Sequence, residues 1–387
     1  MSRRIDCGFI PLIDAAPLIV AVEIGFAAEQ GIEIVLHREM SWASLRDRLI
    51  WGRYHAAHML APVIVAQSAG LGAGEEPFDA LMLLSVNGEV IGVRPDLAAA
   101  MRAETLPFAD AAATGRALIA AAGPRLRVGV PFHLSMHAEL VAYWMEALGA
   151  GPLIELATIP PPRMAAAMAA GEVDAFCVGE PWGSVAVETG AAELILAGPS
   201  IWRFAPEKAL AMPRRRVEAD PATAAALMRA VWRAAQWAAD PANAGTLAEL
   251  LSRREYLDLP SEILERPLAG RLVVNARGGE RRAERCVEFF AGAANFPWRS
   301  QGLWIADAIA RRTGADRQRL RAAARASFRT DLFRDVLGPI GADLPGASEK
   351  LEGSLANRTA VASTQGKLLL GPDSFFDGRV FDPSAGD

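Results

Sequence analysis

The first group in this chain with an evident chemical use is a histidine just past a helix cap. Leu126-Arg-Val-Gly-Val130 reads as a short apolar strand, Pro131 lies in the turn behind it, and Ser135 stands as N-cap of a helix. Leu140, Tyr143, Trp144 and Leu148 recur there at three-to-four-residue spacing, the period of one helical face. His137 therefore falls in the first turn, where backbone N–H groups lack intrahelical partners and the dipole favours negative charge. A strand feeding such a helix end suits a small anion. The alternative is that His137 only caps or packs.

Other chemistries are thinly represented. Cys7, Cys177 and Cys286 are far apart with no CxxC pair, and they read as buried thiols in a reducing compartment. No Ser/His/Asp arrangement, P-loop, HExxH or strand-linked GxGxxG is present, so neither an enzyme nor a bound metal or cofactor is expected. His58 lies in an apolar run and reads as a core or rim histidine. Glu180-Pro-Trp182 reads as a strand-end turn whose glutamate caps the next helix. The runs Arg214–Arg216 and Arg281-Arg282 read as solvated faces or partner contacts.

At 387 residues the chain can form two or three domains, and 52% hydrophobic with 22% charged residues is a globular balance. A net charge of −5 argues against direct nucleic-acid binding and means that an anion needs locally placed positive charge. No apolar run reaches the length of a membrane span. Met1-Ser-Arg-Arg leads directly into the apolar Ile5–Ile10 stretch, without the apolar core or cleavage site of an export leader, so a cytoplasmic location is expected.

The elements that must hold His137 alternate as strand and helix, which points to α/β architecture with mixed, mostly parallel sheets. A helix is expected from Ala16 to Gly31, strands at Ile32–Leu36, Tyr54–Leu60 and Leu81–Val86, and a tight turn at Asn87-Gly88. A second unit holds Asp110 as cap of an Ala111–Ala122 helix, then strands at Leu126–Val130, Ile154–Ile159, Glu172–Val178 and Glu193–Ala197. The chain then crosses back, reads as helical from Pro221 to about Thr330, and ends in a turn-rich strap from Gly371 to Pro383 with aromatic anchors. The expected result is a two-lobed clamshell. Residues 1–95 with 201–387 form lobe 1, including a helical C-terminal region, and 96–200 form lobe 2. Ligands in such sheets sit beyond the carboxyl ends of the strands.

With these pieces assembled, the chain resembles the nitrate/bicarbonate substrate-binding proteins of ABC transporters, which have the type II periplasmic-binding-protein fold. The resemblance runs over nearly the whole chain, through Gly8-Phe-Ile-Pro-Leu-Ile-Asp-Ala-Ala-Pro-Leu18, Ser41-Trp-Ala with Arg46-Asp47, and Ala57-His-Met-Leu-Ala-Pro62. It continues through Ser135-Met-His137, Pro160-Pro-Pro-Arg-Met164, Cys177-Val-Gly-Glu-Pro-Trp182, Trp202, Pro206-Glu-Lys208 and the Gly371–Pro383 tail. It implies an anion held by Trp42, His137 and Lys208, with Pro161 and Val178 lining the pocket and Glu89 where the family places a glutamine. Nitrate offers only oxygen acceptors, so an ammonium, an imidazole N–H and an indole N–H suit it. Glu89 is discordant: the alignment slips near Asn87-Gly88, or Glu89 is protonated or paired with Lys208, or the ligand is bicarbonate, which carries a proton.

Within the resemblance, a chain without a leader matches the cytoplasmic branch. The main expectation is a nitrate/nitrite sensor that sequesters an ANTAR-type RNA-binding antiterminator and releases it when the anion arrives. The second is a component of a nitrate/bicarbonate ABC transporter, either an exported receptor or a relative of the regulatory domain on transport ATPases. A third, a clamshell enzyme like the pyrimidine synthase of thiamin biosynthesis, requires a cysteine-rich motif that the scattered cysteines do not provide.

Overall fold

The structure, a computed structural model, describes residues 3–385. Its strands in chain order are β1 (Arg3–Phe9), β2 (Ile32–Arg38), β3 (Ala56–Leu60), β4 (Phe78–Asn87), β5 (Glu89–Val93), β6 (Leu126–Val130) and β7 (Ile154–Thr158). There follow β8 (Ala175–Gly179), β9 (Glu193–Ala197), β10 (Pro206–Pro213), β11 (Arg271–Val273), β12 (Glu280–Arg282), β13 (Val287–Glu288), β14 (Thr359–Ala360) and β15 (Leu369–Leu370). Two sheets carry the lobes: a six-stranded one ordered β13-β4-β10-β3-β1-β2 and a five-stranded one ordered β7-β6-β8-β5-β9. Both are mixed. β1 runs parallel to β2 and β3, and β6 parallel to β7 and β8, while β10 and β5 are antiparallel to their neighbours. Every residue of β4 and of β10 is buried, as expected for strands covered on both faces.

Two crossings join the sheets. Asn87-Gly88 reads in sequence as a tight hairpin, but the strands on either side of it enter different sheets. β4 pairs with β10 and β13, whereas β5 pairs with β8 and β9. The first crossing therefore falls at Gly88, and Glu89–Val93, assigned to lobe 1 by sequence, is hydrogen-bonded into lobe 2. Both residues of the crossing adopt positive φ, 61° at Asn87 and 114° at Gly88. Asparagine and glycine tolerate that region, so the residues that suit a hairpin also suit a hinge. The return crossing lies against it: Asn87 N donates to Ala205 O at 2.9 Å, and Ala205 N donates to Asn87 Oδ1 at 3.1 Å.

Local signals act as expected at several helix starts. Ser135 Oγ accepts from Ala138 N at 3.2 Å at the head of helix Met136–Ala147, and Asp110 accepts from Ala113 N at 2.8 Å before Ala111–Ala121. Glu180 accepts from Ser184 N and caps the Trp182–Glu188 helix. The stretch Ala16–Gly31 is broken at Gly25 (φ 86°) into Ala16–Glu23 and Phe26–Glu29. The 221–330 region is not uniformly helical, because β11, β12 and β13 interrupt it between Leu268 and Arg299. Their short polar strands carry no helical periodicity.

The helix Pro221–Ala239 buries Leu227, Val231 and Ala234 against Ala16–Glu23, and each large apolar side chain so buried stabilises lobe 1 by about 1.5–3 kcal/mol. The strap is anchored by Phe375, which stacks on Trp202 and Trp304 at centroid separations of 4.7 and 6.0 Å. Among the described residues, no helix is long and apolar enough to cross a membrane, and no group of three His, Cys, Asp or Glu side chains could hold a metal ion.

Candidate functional site

The lobes meet at Lys208. Its strand, β10, lies at the centre of the lobe 1 sheet, and its ammonium is fully buried. Asp14 reaches it from the 3-10 turn Ile13–Ala15 beyond the carboxyl end of β1, with Oδ2 2.8 Å from Nζ. Glu207 Oε1 lies 2.5 Å from the same nitrogen. Neighbours on a regular strand point to opposite faces, but the pairing of β10 with β4 slips between Pro206 and Lys208. That bulge turns Glu207 onto the lysine's side. Trp42 opens helix Trp42–Ile50, which Ser41 caps, and its ring centroid lies 5.5 Å from Lys208 Nζ.

Lobe 2 closes the site. His137, in the first turn of its helix, brings Nδ1 to 3.1 Å from Glu207 Oε1 across the lobe junction. Gly179 at the end of β8 faces the same imidazole; a Cβ there would lie 3.7 Å from His137 Nε2 and 3.0 Å from Leu12. Glu89 opens β5 opposite Gly179. Its carboxyl packs on Gly198, where a Cβ would sit 1.8 Å from Oε1, so only glycine leaves room for it. Further contacts seal the junction: Trp182 Nε1 donates to Pro11 O at 2.8 Å, and Ile13 N donates to Glu180 O at 3.0 Å.

Burial and neighbouring charge set the protonation states. Burial works to raise Asp14, but Lys208 and His58 outweigh it and hold the carboxyl at about 2. His58 Nε2 lies 2.9 Å from Asp14 Oδ1, and burial lowers the affinity of His58 for a proton. Burial also depresses His137, with Lys208 adding to the effect, so its imidazole is neutral. Glu89 goes the other way: burial first, then the charge of Glu207, push its carboxyl up to about 8. Burial raises Glu207 as well, against the pull of Lys208. Lys208 itself keeps its proton, since Asp14 and Glu207 outweigh its desolvation.

At neutral pH the site thus contains an ammonium, an aspartate, a protonated Glu89, a Glu207 carboxyl raised to about 7 and two neutral imidazoles. Among the buried groups there that lack hydrogen-bond partners are the Trp42 indole N–H, His137 Nε2, both oxygens of Glu89 and Oε2 of Glu207. Buried polar groups rarely stay unpaired, and a cluster of them around one ammonium is suited to a small polar ligand.

Of the residues singled out by sequence, Trp42, His137 and Lys208 come together and Glu89 joins them. Glu89 makes no ion pair with Lys208, so the protonated form is the one that accounts for its burial. Pro161 is buried at the start of the 3-10 turn Pro161–Arg163. Val178 is buried opposite Val90, and the next residue, Gly179, is the β8 position that meets His137. Neither Pro161 nor Val178 takes part in the site's ion pairs. Sequence reasoning assigned no role to Asp14 or Glu207 and took His58 for a bystander. Asp14 beyond the first strand and Glu207 beside the lysine were visible, but nothing local signalled that both would turn inward.

A two-lobed α/β clamshell with such a cluster at the lobe junction is a ligand-binding protein of the periplasmic-binding-protein fold. The chain belongs to the NMT1-like family, which it matches over residues 2–252. It is 29% identical to the nitrate/nitrite binding protein NrtA of Synechococcus elongatus, over 98% of this chain and 84% of that protein. The crystal structure of the periplasmic nitrate-binding protein NrtA from Synechocystis superposes with a TM-score of 0.85 at 26% identity, covering 99% of this chain and 96% of that one. The nitrate import ATP-binding protein NrtC of Synechocystis is 32% identical over 80% of this chain, which spans about half (46%) of its length.

Proposed function

We propose that this chain is the receptor of an uptake system for a small oxyanion, with nitrate or nitrite as the ligand. The observation that carries the reading is the convergence of Lys208 with the unpartnered Trp42 N–H, His137 Nε2 and neutral Glu89 carboxyl, drawn from both lobes and removed from water. A protonated Glu89 can donate to an anion where a carboxylate would repel it, and on this reading the discordance seen in sequence disappears. The names of the matched relatives, binding and import proteins for nitrate, support the transport reading.

Charge balance adds a requirement. Lys208 is already neutralised by Asp14, and an ionised Glu207 leaves one negative charge in excess, so a monoanion entering beside them adds to a buried negative excess. The least costly relief is a proton on Glu207, whose carboxyl burial has already raised. Binding should therefore take up a proton and tighten as pH falls. Calorimetric titration with nitrate, nitrite and bicarbonate in two buffers of different ionisation enthalpy tests this. One nitrate or nitrite per chain with proton uptake is expected; saturation by bicarbonate alone, or by none of the three, overturns the reading.

A second reading keeps the site and changes the listener: a cytoplasmic nitrate/nitrite sensor that holds an ANTAR-type antiterminator and releases it on binding. In its favour is the His137–Glu207 contact, which spans the lobes and uses groups that would meet the anion, so ligand arrival must alter the junction. The shift in affinity between the two states would have to reach a few kcal/mol to move the partner from mostly bound to mostly free. Co-elution with the antiterminator that nitrate abolishes would favour the sensor; no association with or without nitrate leaves the receptor reading alone.

A further inference from the structure

A cavity of about 860 Å³ whose lining includes none of the Lys208 cluster has a different chemistry. Its charged lining is Arg203, Arg282, Arg285 and Arg358 against Asp110 and Glu284. In a chain of net charge −5 this is a local excess of two positive charges. None of the four guanidiniums makes an ion pair or hydrogen bond among the described residues, and Nη1 of Arg285 is buried without a partner. Asp110 already spends one oxygen on the N-cap of its helix. Phe108 and Phe376, both half-buried, add aromatic surface to the same cavity.

We propose that this cavity is a second ligand site, for a small phosphate ester bearing a flat ring, and that its occupation favours the closed clamshell. Guanidiniums match phosphate through paired N–H donors, and a phosphate monoester carries nearly two negative charges, the excess that the lining leaves uncompensated. The rings of Phe108 and Phe376 offer apolar faces for the organic part. The volume lies in the range of small-molecule sites.

The position explains the coupling. One wall, Phe108 to Ala112, belongs to lobe 2; another, Ala197 to Arg203, is the return crossing; Arg282, Arg285 and the Pro372–Phe376 strap complete it. A ligand bound by walls from lobe 2, the return crossing and the strap holds these parts against one another, so it opposes their separation. The backbone of two lining arginines is also tied to the hinge, because Asn87 Nδ2 donates to Arg203 O and to Arg285 O, each at 3.1 Å. Arg285 holds a left-handed φ of 54° while doing so. A ligand that draws these arginines together acts on the residue about which the lobes turn, and linkage requires the two sites to strengthen each other equally.

The test is titration of the full chain with AMP and with pyrophosphate, alone and with the oxyanion present. AMP should bind once per chain, more tightly than pyrophosphate and more weakly as salt rises, and should raise oxyanion affinity several-fold. The double variant Arg203→Ala/Arg358→Ala, at two exposed side chains, should weaken AMP at least ten-fold and leave oxyanion binding alone unchanged. No binding of either phosphate, or equal AMP binding by the variant, overturns the site. AMP binding that leaves oxyanion affinity unaltered overturns the coupling. The AMP titration without oxyanion stands whatever the Lys208 site takes.

Discussion

Glu89→Gln probes the point on which the anion site turns, because it fixes chemically the neutral state that burial imposes. Glu89 is shifted from 4.5 to about 8 on folding. For an acid with a raised folded value, stability is fully present below the unfolded value and is lost as pH rises towards the folded one. The loss therefore begins near pH 4.5, grows by about 1.4 kcal/mol per pH unit, and levels off above about pH 8. At pH 7 the folded wild type carries a penalty of about 3 kcal/mol for keeping this carboxyl protonated. Glutamine has the same shape and a donor in the same place but nothing to titrate. Urea unfolding of both proteins at half-unit intervals from pH 4.5 to 9 should give a difference in stability that rises in favour of the variant by about 3 kcal/mol between pH 5 and 7.5, then flattens. Nitrate affinity at pH 7 should stay within a few-fold of wild type. A difference that does not change with pH would mean that Glu89 is ionised in the folded protein, and the assignment of a donor to that position would be wrong.

Lys208→Met should abolish oxyanion binding and destabilise the fold by about 3–5 kcal/mol at pH 7, because Asp14 and Glu207 stay buried without a counter-charge; much of that loss should be recovered at pH 5, as read by urea midpoints. Trp42→Phe removes an indole N–H that has no partner in the protein and leaves a small cavity beside Lys208, so stability should fall by less than the ~3–5 kcal/mol of a truncation to Ala while oxyanion affinity falls roughly ten-fold by calorimetry. Asn87→Ala loses three side-chain hydrogen bonds at the crossings and must hold φ at 61°, so chemical denaturation should show a loss of about 2–4 kcal/mol, with Asn87→Gly intermediate because it relieves only the backbone.

Much of the architecture can be read without coordinates, because it depends on local rules. The alternation of apolar strands with capped helices indicates two α/β lobes, and Ser135 and Asp110 cap their helices as their position before an apolar run requires. Where reading fails, a non-local pairing has decided the outcome. Asn87-Gly88 has hairpin chemistry, yet its flanking strands find partners in different sheets. The residues near 280 look like a stretch of helix until β13 is found on the edge of the lobe 1 sheet, beside β4.

The candidate site divides along the same line. The resemblance to the anion-binding family, carried by short motifs in order along the chain, nominated Trp42, His137 and Lys208; residue type by itself singled out only His137, at a helix start. Tertiary structure alone decided that Asp14 and Glu207 share that lysine, through a bulge in β10 and a turn beyond β1. It also decided that Glu89 is neutral, because a carboxyl's charge depends on the water it loses and the charges it meets, and folding determines both.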